Sequence, residues 1–314
     1  PNVGSMSKRD AERGTNARQR SIDAYREGSE EAARLGVELI VWPETAITDP
    51  VPFWKQAEGV DFVNRQLAVW GYGFLREIGK DRAFLVGTYE HAQTARKSRW
   101  GDAGDTRAVD RFNDAALRLP GQNDAEWSWV RKVELIPFGE TMPFGLPADL
   151  LPQNFTMRPG TPPQEPFEYR GRVLVPFLCY EGILPEHVNA ATAGKRADVL
   201  VSLTNDSWFG DTWEPYQHLA FTRFRAVEHR APLIRATNTG ISAFVDSAGD
   251  VVKSLGVGES GVLVHDVPVG ARTERTIYAR FGHRLPWLFY AWSILALFAA
   301  LMRPPPVVAS DPDA

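Results

Sequence analysis

An α/β fold, with helices laid over a β-sheet, is what this sequence predicts. Three observations carry the prediction. Short β-branched apolar runs recur along most of the chain, stretches rich in helix formers separate them, and no internal repeat points to a solenoid or propeller.

Taken in order, residues 1–36 read as a polar lead-in and a helix, NARQRSIDAYREGSEEAARLG, closed by Gly36. VELIVWPET follows as a buried strand stopped by Pro43. Residues 53–80 are again helical in pattern, and RAFLVGTYE, Arg82 to Glu90, is again a strand. Residues 91–109 are polar and charged and read as a solvated loop, after which DAALRLP and WSWVRKVEL read as strands. From 136 to 170 the chain is crowded with proline and glycine. A loop of that length inside a compact domain is uncommon and is often a lid or binding element. Regular order then resumes: strand RVLVPFLCY, a helix from about Leu184, strand DVLVSLTND, helix QHLAFTRFRAVEHR, strands PLIRATN and ISAFVDS, and a final hairpin around Gly256 to Gly261.

The far end differs. LPWLFYAWSILALFAALM, Leu285 to Met302, runs without a charge for about 18 residues, roughly the minimum for a membrane-spanning helix. Arg284 and Arg303 bracket it, and Trp287, Tyr290 and Trp292 suit the headgroup level. A transmembrane helix over 285–302 is therefore expected, with a buried core helix as the alternative, followed by a disordered proline-rich tail over 303–314. Arg272, Arg275, Arg280 and Arg284 precede the span and Arg303 alone follows it. Read literally, that bias puts the large domain in the cytoplasm. The chain begins at Pro1 without an initiator methionine or a signal sequence, which reads as a segment of something longer.

Composition narrows the function. With 44% hydrophobic and 24% charged residues in 314, the chain can bury a full core. A formal charge of −4 lacks the basic excess that neutralising a phosphate backbone needs, so no nucleic-acid partner is expected. One cysteine excludes an internal disulfide. The six histidines have no metal-ligand spacing, and neither G-x-S-x-G nor H-E-x-x-H occurs, so no metal and no cofactor is expected. GVGESG, Gly256 to Gly261, formally matches G-x-G-x-x-G but leads into the apolar run VLVHDVPV instead of a helix, and reads as a turn.

Three strand ends stand out: Glu44 in VWPET, Lys132 in RKVELIPFGE and Cys179 in FLCYEG. Strands of an open α/β sheet deliver reactive groups to a crevice at their carboxyl ends. Singly, each has a structural explanation: a helix start for the glutamate, a snorkelling lysine, a small buried thiol. Together they are the parts of a covalent acyl-transfer site. A thiol needs a base and a positive neighbour to act as a nucleophile at neutral pH. Glu44 can take the proton, Lys132 can stabilise thiolate and oxyanion, and the backbone N–H of Tyr180 can meet that oxyanion.

The Glu, Lys, Cys order, set in VWPE, K…PFGE and CYE, resembles the nitrilase superfamily of carbon–nitrogen hydrolases. RPG (158–160), TNDSWFG (204–210), QH with RFRAVEHRAPLIRATNTGISA (217–243) and TIYARFG extend the resemblance to its apolipoprotein N-acyltransferase family. The resemblance implies an α-β-β-α sandwich over residues 1–275, with Glu44 as general base, Lys132 as electrostatic stabiliser and Cys179 as nucleophile. Glu140, Tyr180 and Glu181 match supporting positions. It further implies a bacterial inner membrane location with the catalytic domain on the periplasmic side, a phospholipid acyl donor and a diacylglyceryl apolipoprotein acceptor. The family carries N-terminal membrane helices ahead of this domain, and none is present in this chain.

Both substrates implied are membrane lipids. The stretch Pro137 to Pro163, with Phe138, Met142, Phe144, Leu146, Leu150, Leu151 and Phe155, is read either as an apolar lid or as a surface loop with its own cluster. Trp208 and Phe209 are expected to line an acyl pocket, whereas Arg223, Arg225 and Arg235 are expected in ion pairs with Glu228 or other surface carboxylates, with phospholipid head groups as the alternative. Two alternatives stay open: a soluble carbon–nitrogen hydrolase with the same triad, and a non-catalytic membrane-anchored binding domain.

Overall fold

The computed structural model describes residues 15–52, 72–94, 108–122, 126–144, 157–210, 212–270 and 274–303. Helix α1 (Thr15–Arg34) leads, and Gly36 turns the chain out of it at φ +76, a conformation without steric cost only for glycine. A first sheet contains β1 (Leu39–Val41), β2 (Ile47–Pro52), β3 (Ala83–Thr94), β4 (Ala108–Arg118) and β5 (Ser128–Arg131). Its order is β1-β3-β4-β5, with β2 also pairing to β3; β1 and β2 run parallel to β3, and the remaining pairs are antiparallel. The short helix α2 (Phe74–Ile78) precedes β3.

A second sheet contains β6 (Phe167–Tyr169), β7 (Arg172–Leu178), β8 (Val199–Thr204), β9 (Leu233–Thr237), β10 (Ser242–Val245) and β11 (Val251–Leu255), in the order β11-β10-β9-β8-β7-β6. Strands β7, β8 and β9 are parallel, so each needs a crossover, and α3 (Pro185–Ala191) and α4 (Glu214–His229) supply them. Helices α5 (Ile277–Phe281) and α6 (Leu285–Leu301) close the described chain.

Period-two alternation in the strands sorts the apolar residues into three layers. Leu85, Ala115, Leu117 and Val130 of the first sheet meet Leu174, Leu178, Val201 and Leu203 of the second. Phe84, Val86 and Ala116 point the other way, onto Ile22 and Tyr25 of α1 and Leu75 of α2. Val175, Phe177 and Leu200 pack against Val188 of α3 and Leu219 and Ala226 of α4. The architecture is thus α-β-β-α, as expected. Strand β8, covered on both faces, is buried at every position, which explains why VLVSLT carries no charge and shows no outward polar face.

Two sequence expectations are corrected. Residues 91–94 and 108–109 belong to β3 and β4, which stay paired from Phe84↔Arg118 to Thr94↔Ala108. Backbone pairing does not require apolar side chains, so the polar run there carries no strand signal. The last hairpin turns at 246–250, not around Gly256 to Gly261. Asp246 Oδ1 accepts the N–H groups of Ala248 and Asp250 at 2.8 and 2.9 Å, and Gly249 takes φ +90. Residues 53–71 of the expected helix, Leu146, Leu150, Leu151 and Phe155 of the expected lid, and the tail beyond 303 lie outside the described residues.

The apolar run of 285–302 forms helix α6, 17 residues long. At 1.5 Å per residue it is about 25 Å, short of a hydrocarbon core of about 30 Å. Among the described residues no helix is long and apolar enough to cross a membrane. The helix is not a buried core helix either, because Trp287, Phe289, Ile294, Leu297 and Phe298 are all exposed.

Candidate active site

Glu44 follows β1, Lys132 directly follows β5 and Cys179 directly follows β7, so all three stand at carboxyl ends of strands. Glu44 sits in a turn in which Thr45 takes φ +58. Gly87 of β3 passes so close that a Cβ there would lie 2.4 Å from Glu44 Cα, and only glycine fits. Lys132 has no exposed surface, and its Nζ donates to Glu44 Oε1 at 3.0 Å and Glu140 Oε1 at 2.9 Å. Asn113, within β4, donates its amide to the same two oxygens at 2.7 and 3.3 Å. Glu140 Oε2 accepts the Ile136 N–H at 2.9 Å, and Asn238 donates to the Glu44 carbonyl at 2.8 Å.

Two carboxylates therefore share one ammonium out of water. Burial, first, and then Glu140 push the Glu44 carboxyl above its usual range, against the pull of Lys132. For Lys132, burial works to lower the ammonium pKa, but Glu44 and Glu140 outweigh it and hold the group well above the usual lysine range. Burial and the Glu44 charge push the Cys179 thiol well up, with Lys132 opposing. Among the charged groups acting on the thiol Glu44 has the largest effect, and its own proton affinity is also raised.

Cys179 is 4% exposed and holds φ +48, a left-handed conformation that a cysteine seldom adopts and that costs about 1–3 kcal/mol. The surroundings impose it. Glu181, two residues on in the same 3-10 turn (Cys179–Ile183), accepts the N–H groups of Leu178 at 2.8 Å, Val133 at 2.6 Å and Glu134 at 3.2 Å, and lies 3.2 Å from His187 Nε2. Burial would raise this carboxyl, but the His187 hydrogen bond and charge, with the Leu178 N–H, hold it below its usual range. Behind the turn, His218 of α4 places Nε2 3.1 Å from the Cys179 carbonyl oxygen and Nδ1 3.0 Å from Asp206 Oδ1. Asp206 Oδ2 accepts from Arg235 Nη2 at 2.9 Å.

Of the remaining expected residues, Glu140 and Glu181 join the cluster, and Tyr180 is half-buried beside Cys179. Phe138, Phe144, Trp208 and Phe209 are exposed, Phe144 at 93% and Trp208 at 54%. Arg225 pairs with Glu228 at 2.7 Å and Arg223 with Asp250 at 3.7 Å, as expected, whereas Arg235 pairs with Asp206 in the interior and not with a surface carboxylate. Sequence reasoning missed Asn113, Asp206, His218 and Asn238. Asp206 was discoverable by the strand-end criterion, since it follows β8, whereas Asn113 and His218 carry no local signal.

Cys179, Asp206 and His218 offer three potential ligand atoms within 4.8 Å of one another. They do not suit a cation: both His218 nitrogens are engaged, and the Arg235 guanidinium already neutralises Asp206.

The carbon-nitrogen hydrolase family model matches residues 89–275. The apolipoprotein N-acyltransferase of Geobacter metallireducens is 31% identical over 302 residues, 91% of this chain and 50% of that protein. That of Sinorhizobium medicae is 35% identical over 284 residues, 85% of this chain and 46% of that protein. The chain thus spans about half the length of these two relatives, and 33% of the one from Rhodopseudomonas palustris, at 36% identity over 191 residues and 55% of this chain. Among solved structures, the amidase from Nesterenkonia sp. AN1, in a mutant form that carries acrylamide added to its active-site cysteine, matches with a TM-score of 0.54 and 23% identity. The match covers 80% of this chain and 88% of that one, a likeness of fold. With the family model spanning more than half of its residues, the chain belongs to the carbon-nitrogen hydrolase family.

Proposed function

We propose that this domain transfers a fatty acyl chain from a phospholipid, through a thioester on Cys179, to the α-amine of a diacylglyceryl-modified cysteine at a lipoprotein's N-terminus. The observation that carries the reading is the buried Glu44–Lys132–Glu140 cluster beside a cysteine held in a left-handed turn. Similarity to proteins named apolipoprotein N-acyltransferase supports the choice of substrates.

In the first step Glu44 takes the Cys179 proton, and the sulfur adds to an ester carbonyl of the phospholipid. Lys132, already positive, offsets the charge that moves onto the thiolate and then onto the carbonyl oxygen. The Tyr180 N–H donates to the same oxygen. Collapse expels the lysophospholipid alkoxide, which recovers the proton from Glu44. In the second step the amine adds to the thioester, Glu44 accepts the amine's proton, and Cys179 leaves and recovers that proton from Glu44 as the thiol. A thioester yields to an amine without ATP, so the demand on the protein is to keep water away. Burial of Cys179, Glu44 and Lys132 serves that demand.

Access from a bilayer is part of the proposal. Phe138, Phe144, Trp208 and Phe209 are exposed apolar groups suited to lipid, and α6, exposed and apolar on every side, is suited to membrane insertion at the inner membrane with the catalytic domain on the periplasmic side. Mass spectrometry of the chain incubated with phosphatidylethanolamine vesicles tests the reading. One acyl chain should appear on Cys179 and should be discharged by a diacylglyceryl lipopeptide to give an N-acyl product. An unmodified thiol under these conditions counts against acyl transfer, and release of free fatty acid in place of the N-acyl product would assign the site to hydrolysis.

A further inference from the structure

Both nitrogens of His218 face atoms that can only accept hydrogen bonds. Nε2 is 3.1 Å from the Cys179 carbonyl oxygen, and Nδ1 is 3.0 Å from Asp206 Oδ1 and 3.4 Å from Glu214 Oε1. A neutral imidazole has one donor and could satisfy one side only. Satisfying both sides requires the doubly protonated ring. Asp206 in turn is fixed by Arg235, whose guanidinium also donates to the Ile241 carbonyl and lies 3.5 and 3.4 Å from the hydroxyls of Ser202 and Thr204. The whole assembly is buried: His218 is 4% exposed, and Arg235 and Asp206 less.

What His218 holds is half of a peptide group. The Cys179–Tyr180 peptide is planar and trans, so the Cys179 C=O and the Tyr180 N–H point in opposite directions. Anchoring the carbonyl toward His218 therefore aims the Tyr180 N–H to the other side. A cationic donor on the carbonyl also polarises the amide and strengthens its N–H as a donor. We propose that His218, as an imidazolium held by Asp206, itself fixed by Arg235, is a positioning residue that orients the Cys179–Tyr180 peptide so that the Tyr180 N–H meets the oxyanion formed on Cys179 acylation. The charged groups facing the ring are Asp206 from the turn after β8, Glu214 from its own helix and Arg235 from β9, with the Cys179 sulfur within 4.8 Å. Burial and Arg235 both oppose the positive ring, but Asp206 and Glu214 outweigh them and raise its pKa. The proposal rests on the acyl-transfer reading only in that Cys179 attacks a carbonyl.

Two reactions of Cys179 separate this role from mere support of the fold. Attack on p-nitrophenyl butyrate passes through an oxyanion; alkylation by iodoacetamide does not. His218→Gln should slow acylation, read as the nitrophenolate burst, by about tenfold to hundredfold through a lower maximal rate at unchanged half-saturation, while alkylation changes by less than about twofold. Equal slowing of both reactions, or of neither, overturns the proposal. Should the variant not fold, histidine ring-nitrogen NMR of the wild-type chain decides the matter: a doubly protonated imidazole persisting above the ordinary histidine range is expected, and its absence overturns the proposal. Failure of the phospholipid reading would look different: a wild-type chain that takes acyl groups from the nitrophenyl ester but none from phospholipid.

Discussion

Two buried charged clusters flank Cys179, and they are built on opposite principles. On one side Glu44 and Glu140 compete for Lys132, an excess of carboxylate for which the described residues show no second cationic partner. On the other, Asp206 lies between His218 and Arg235, one oxygen to each, and Glu214 lies 3.4 Å from His218, so that with the ring protonated as proposed above two carboxylates meet two cations. The unbalanced cluster has raised proton affinity at Glu44; the balanced one holds Asp206 as an anion, its carboxyl below the usual range because Arg235 and His218 overcome the effect of burial. Proton transfer needs a group close to changing state, and positioning needs one that does not change. The molecule places one kind on each side of its single thiol.

The largest effect that can break this comparison is expected from Lys132→Met. Removing the shared cation strands two buried carboxylates, which should abolish the acyl adduct on Cys179 and cost about 3–5 kcal/mol in urea denaturation. A fully active Lys132→Met protein would remove the lysine from the chemistry.

A smaller, pH-dependent difference sharpens the contrast. The folded-state pKa of Glu44 lies above its ordinary 4.5, so its contribution to stability is complete below that value and is lost as pH rises through the folded pKa. Glu44→Gln should therefore gain on the wild type as pH increases. The pKa of Asp206 lies below its ordinary 3.8, so its contribution is complete above that value and is lost as pH falls through the folded pKa. Asp206→Asn should carry its full penalty at neutral pH, and the gap should close only in strong acid. Denaturation curves across pH check both signs, and parallel profiles for the two variants would erase the distinction between the clusters.

The smallest effect on stability belongs outside both clusters. Trp208→Ser removes a side chain 54% exposed and should change stability by no more than about 0.5 kcal/mol, yet reduce binding to phospholipid vesicles in a sedimentation assay. Unchanged vesicle binding would leave Trp208 a surface aromatic.

How much of this was legible in the sequence follows from what is local. The strands were readable because their residues alternate or run apolar according to how many faces are covered, and β8 is the clearest case. Glu44, Lys132 and Cys179 were readable because each follows such a run. The turn of the last hairpin was misplaced because three glycines drew attention to 256–261, while the deciding group is the Asp246 side chain. Asn113 could not be found this way: it lies inside β4, and its role exists only because Glu44 and Glu140, 69 and 27 residues distant, arrive beside it. His218 is likewise meaningful only through Cys179, 39 residues before it.

One carboxylate bears on how robust the arrangement is to change. Glu181 belongs to the turn that begins with Cys179, yet it grips the backbone just after Lys132, so the second sheet's elbow and the first sheet's outgoing strand are fastened together at their tips. The backbone that carries the ammonium and the backbone that carries the sulfur are thus joined directly by one side chain as well as through the apolar filling between the sheets.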